Sequence, residues 1–108
     1  MNRKPALLAL AALAAAALPA LAQQTAGDPA LGRNLAKSLC ADCHQVDIGD
    51  EKPSADAPGF PDVAALPSTT ALSLRVFLQS NHRSMPNYQL APEQIDHVIA
   101  FILSLKAK

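Results

Sequence analysis

Cys40 and Cys43 are the chain's only cysteines, with two residues between them, and His44 directly follows the second in CADCH. Four chemistries compete for such a set. It can be a redox dithiol, half of a zinc site, a small disulfide, or an anchor for a porphyrin.

The first three are poorly served by the rest of the chain. A thioredoxin-like dithiol belongs in a βαβ pattern, and no strand-like alternation appears. A structural zinc site takes four ligands, and Cys40, Cys43 and His44 supply at most three, two of them adjacent. A disulfide across two intervening residues closes too small a loop to stabilise much. C-x-x-C-H in an exported chain reads instead as a c-type haem attachment site. Two thiols about one helical turn apart can each add across one vinyl group of a single porphyrin. The adjacent imidazole is then held beneath the iron, where its neutral nitrogen binds.

A low-spin electron-transfer haem needs a sixth ligand. Apart from the initiator, Met85 is the only methionine, set in SMPNY in an irregular stretch and followed by Pro86. A core-filling methionine more often lies in a helical stripe, and the polar neighbours Arg83, Ser84 and Asn87 leave burial of this one needing a reason. Proline restricts the backbone that presents the sulfur. His82, three residues earlier, is the competing ligand and would give a bis-His centre of lower potential. His97 sits opposite the apolar stripe of its helix and reads as solvated surface.

The export signal is at the N-terminus. Arg3 and Lys4 precede an unbroken apolar run from Ala6 to Leu18, then Pro19 and the small-residue site Ala20-Leu21-Ala22. This is the layout of a secretory signal, and the run is short for a membrane span. Cleavage of residues 1–22 would start the mature chain at Gln23. Removing 22 of 108 residues leaves 86, and Arg3 and Lys4 leave with them, so seven basic side chains face nine acidic ones, a formal charge of −2. No basic stripe suits nucleic acid. One domain of residues 23–108 is near the size where a hydrophobic core alone gives marginal stability. Two neighbouring cysteines cannot supply a long-range staple, so something else must fill the core.

The elements that position these residues are helices. Asp28-Pro29 opens the first, and Gly32, Leu35, Ala36, Leu39 and Cys43 form one stripe running into the motif. From Gln45 to Pro67, Gly49, Pro53, Pro58, Gly59, Pro61 and Pro67 enforce a loop with one turn near Phe60 to Leu66. Such a loop is uncommon in a compact domain unless it wraps something. Ser68 or Thr69 caps a second main helix in which Leu74, Phe77 and Leu78 share a face. Asn81 to Leu90 is again irregular. Pro92-Glu93 opens the last helix, with Ile95, Val98, Ile99, Ile102 and Leu105 as its stripe, Phe101 widening it, and Lys106 and Lys108 at its dipole end. The reading is all-α, with three main helices and two long loops.

Taken in order, a helix carrying Gly32 and Leu35, CADCH, a loop containing APGF, the pair Met85-Pro86 and a terminal helix reading AFILSL resemble the small class I bacterial cytochromes c. The resemblance spans roughly Asp28 to Lys106. It implies the cytochrome c fold wrapped around one covalent haem c, with Cys40 and Cys43 in thioethers and the iron between His44 and Met85. It implies that the first and last helices cross closely, bringing Gly32 and Leu35 against Phe101. It also implies that the carbonyl of Pro58 accepts a hydrogen bond from the second ring nitrogen of His44. Tryptophan is absent and Phe101 stands where many members have tyrosine, which leaves Arg75, Arg83, Asn87 and Tyr88 as candidates for the haem propionates.

The expected function is a periplasmic one-electron carrier, not an enzyme. Its partners would be redox proteins, a dehydrogenase as donor and an oxidase or reductase as acceptor, with no nucleic acid and the membrane met only during export. Two other readings stay open. One is a gas-binding, sensing or catalytic haem protein with Met85 displaceable or absent from the iron. The other is an electron-transfer subunit held in a larger oxidoreductase.

Overall fold

A computed structural model describes residues 26–80, 82 and 85–107. The proposed export signal, Arg83 and Lys108 lie outside the described residues. These residues form four α-helices and no strand: α1 Pro29–Leu39, α2 Phe60–Ala65, α3 Ala71–Gln79 and α4 Pro92–Ser104, with a closing 3-10 turn at Leu105–Ala107. Three of the four are main helices and α2 is the single turn foreseen in the long loop, so the all-α reading stands.

Helix α1 begins where its chemistry says it should. The Asp28 carboxylate accepts from the backbone N–H groups of Ala30 (2.7 Å) and Leu31 (3.3 Å), and Pro29 fills the first helical position. The helix ends at Leu39, earlier than the stripe through Cys43 predicts. Beyond it the motif folds as a turn, with the N–H groups of Cys43 (3.2 Å) and His44 (2.8 Å) both donating to the Cys40 carbonyl. Helix α4 is the centre of the core. Its Ile95, Val98, Ile99, Phe101 and Ile102 are buried as the periodicity predicts, Ala100 joins them, and Leu105 is buried in the turn that follows.

The two helices cross at glycine. A Cβ on Gly32 would lie 1.9 Å from the carbonyl oxygen of His97 and 2.9 Å from Cβ of Phe101. At Gly27 the same atom would lie 2.0 Å from the carbonyl oxygen of Asp96. Backbone cannot give way as a flexible side chain can, so only glycine permits this approach. Gly32→Ala should therefore destabilise the holoprotein by roughly 3 kcal/mol through forced separation of α1 and α4. Denaturant titration checks it, and a loss under about 1 kcal/mol would mean that the helices are not held this tightly.

His97 corrects the sequence reading. It is not solvated surface: its side chain is 16% exposed, and Nδ1 accepts from the Asp28 N–H at 2.8 Å. The close crossing turns this face of α4 toward the start of α1, which periodicity alone does not reveal.

The long loop is tied to α1 by charge. Arg33 pairs with Asp47 (2.5 Å) and Lys37 with Asp50, while the Asp47 N–H donates to the Asp50 carboxylate at 2.9 Å. Val46 is buried beneath these pairs' loop. Lys37 foremost, and then the Asp47 amide, hold the Asp50 carboxyl below its ordinary value. A depressed carboxylate stabilises the fold above its unfolded value, and that contribution disappears as pH falls through the folded one. The thermal midpoints of the parent and Asp50→Asn should thus differ slightly at neutral pH and converge as pH drops below about 4. A constant difference across that range would break the linkage.

Helix α3 is capped by Thr70, not by Ser68 or Thr69. Thr70 Oγ1 accepts from the Ser73 N–H (3.1 Å), and Ser73 Oγ accepts from the Thr70 N–H (2.9 Å). Thr69 is already committed: it is buried, its hydroxyl donates to the Val63 carbonyl, and its own carbonyl accepts from Lys106 Nζ at 2.7 Å. Leu74 is buried and Leu78 half-buried, but Phe77 remains 58% exposed.

Candidate haem site

The residues expected to do chemistry come from three places: the turn after α1, the long loop, and the segment between α3 and α4. Cys40 caps α1 and packs half-buried against the core, while Cys43 is exposed and no disulfide joins them. Before attachment, burial pushes the Cys40 thiol up to about 11.

His44 is fixed from two directions. Its Nδ1 lies 2.7 Å from the Pro58 carbonyl oxygen, and its ring leans on Phe60 with centroids 5.2 Å apart. A carbonyl oxygen only accepts, so the proton of the neutral ring sits on Nδ1 and Nε2 keeps its lone pair. The loop is held for this contact by the Phe60 N–H, which donates to the Gln45 carbonyl at 2.8 Å. Gly59 between Pro58 and Phe60 is buried against Gln45, whose Oε1 would lie 2.8 Å from any added Cβ.

A cleft open to solvent runs between α1, α3, α4 and the loop that joins the last two. Cys40 and Met85 both line it, together with the apolar side chains of Leu35, Leu39, Leu78, Leu90 and Val98. Cys43 and His44 are not in that lining. Of the propionate candidates, Asn87 and Tyr88 line the cleft, whereas Arg75 is paired with Asp96. His82 is turned away from an isolated role: its Nδ1 is 3.2 Å from the Ser80 carbonyl, and its ring meets the Phe77 ring edge-on at 5.4 Å.

This arrangement fits a haem. It offers an apolar slot, free thiols at the required spacing, an imidazole whose tautomer leaves Nε2 unprotonated, and a thioether on the slot itself. Sequence reasoning did not single out Gln89, a cleft residue with φ of 44°. The only signal was Asn87 two positions earlier, because asparagine side chains commonly accept from the N–H two residues on.

Comparison with known proteins agrees. The cytochrome c family matches residues 29–106. The chain is 38% identical over 81 residues to cytochrome c-552 of Bradyrhizobium diazoefficiens, which covers 75% of this chain and 78% of that protein. No solved structure matches. With its helices, motif and cleft in that order along one short sequence, the chain belongs to the cytochrome c family, as a small class I c-type cytochrome carrying covalent haem c and serving electron transfer with redox partner proteins.

Proposed function

We propose that the chain is a periplasmic one-electron carrier with thioethers at Cys40 and Cys43 and with His44 and Met85 as the axial ligands. The supporting observation is an apolar cleft that Cys40 and Met85 both line. Cys40 and Cys43 would hold the haem as thioethers, each S–H adding across one vinyl group, which requires no oxidant. His44 donates Nδ1–H to the Pro58 carbonyl, which orients the ring and makes Nε2 the better electron donor. Met85 would present a neutral thioether that favours the reduced state, and Leu35, Leu39, Leu78, Leu90 and Val98 would pack apolar surface against the group. When bound, haem c supplies a one-electron ferric–ferrous couple.

Residues 1–22 would direct export and then be removed. Among the described residues no helix is long and apolar enough to cross a membrane. The mature charge of −2 and the absence of a dominant charged stripe suit a small, wet, transient interface with a dehydrogenase donor and an oxidase or reductase acceptor.

Spectroscopy tests this reading. The ferric protein should show the weak far-red charge-transfer band of thioether ligation, and the reduced protein should take up no carbon monoxide. No band together with avid carbon monoxide binding would favour a sensor or enzyme with an open sixth position.

A further inference from the structure

We propose that Asn87 and Gln89 are positioning residues that set where the Met85 sulfur sits on the cleft. The proposal rests on the reading of Met85 as an iron ligand. The segment from Met85 to Leu90 has no regular structure, yet every one of its six residues lines the cleft. Its fixed points are few. At one end the Met85 N–H donates to the His82 carbonyl at 3.2 Å. At the other, Leu90 packs on the core, and Gln94 Oε1 accepts from the Ala91 N–H at 2.9 Å.

Between these points the backbone passes through an unfavourable conformation. Gln89 has φ of 44°, the only positive φ at a non-glycine residue among those described. Left-handed backbone is disfavoured for residues with a Cβ, and glutamine has none of the short side chain by which asparagine or aspartate offsets it. Such a conformation persists only where its surroundings over-determine it. Here the holder is visible: Asn87 Oδ1 accepts from the Gln89 N–H at 3.1 Å, closing the turn. With Leu90 anchored, a relaxed, extended backbone at residue 89 would lengthen the path back to Met85 and move its sulfur. The turn therefore fixes the length of the connection that delivers the ligand.

The test uses the holoprotein and imidazole, which competes with a weakly held sixth ligand. Asn87→Ala removes the acceptor, and Gln89→Val installs a β-branched residue that resists positive φ. Both should bind imidazole to the ferric form about five- to ten-fold more tightly than the parent, with a weakened far-red band. Asn87→Asp keeps an acceptor oxygen and Gln89→Gly accepts the same backbone, so both should bind imidazole as the parent does. A parent with the band whose Asn87→Ala and Gln89→Val variants keep parental imidazole affinity overturns the proposal alone. So does an equal rise in all four variants, which would mean that the turn's chemistry is irrelevant. A parent without the band overturns the ligation reading and this proposal with it.

Discussion

Chain made without haem should lose most of its helix, and far-ultraviolet circular dichroism should record a largely unfolded protein. The reason is visible in how α1 is buried. Only Gly32 and Ala36 of that helix are fully buried, and neither brings a large side chain. Its leucines at 35 and 39 are half-buried and line the cleft, as do Leu78 of α3 and Leu90 of the last loop. The apolar surface that would hold α1, α3 and the last loop together is thus directed at the haem rather than at protein. Each half-buried leucine left against water forgoes about half of the roughly 1.5–3 kcal/mol of full burial, and four such losses are comparable with the lower end of a small domain's whole stability. Under the proposed ligation, losing the covalent clip at Cys40 and Cys43 and the two axial bonds would add to the same deficit, as in other small domains that fold around a metal. Cys40→Ala/Cys43→Ala expressed without attached haem gives the sample. Native helix content in it would show that the protein core suffices.

Replacing Met85 by alanine should lower the midpoint potential by on the order of 0.1–0.3 V, part of the roughly 0.8 V range over which axial ligands tune haem. A neutral thioether stabilises ferrous iron more than ferric, and its removal admits water or a nitrogen donor that does the opposite. His82 is near in sequence, but its ring is packed edge-on against Phe77. The variant should therefore also gain carbon monoxide binding, because the sixth position opens. Redox titration beside a carbon monoxide titration checks both halves. An unchanged potential would remove Met85 from the iron.

Different parts of this molecule were legible in the sequence to different degrees, for physical reasons. The attachment motif was the clearest, because its chemistry depends on covalent spacing that folding does not alter. Helix α4 was nearly as clear, since Ile95, Val98, Ile99 and Ile102 recur at the helical period and all face one core. His97 was misread because its environment is made by the start of α1, far away in the chain. The cap of α3 slipped to Thr70 because Thr69 had a tertiary partner in Val63. Phe77 shares the helical face of Leu74 by periodicity, yet it meets His82 and stays exposed. The positive φ of Gln89 had the weakest signal, since glutamine is not a residue that announces a left-handed turn.

The decisive measurement is mass spectrometry of the purified, coloured protein after proteolysis. The account predicts one peptide spanning Cys40 to His44 heavier by a single haem, its colour surviving acid–acetone extraction. Unmodified cysteines, or a pigment that washes free, would contradict it.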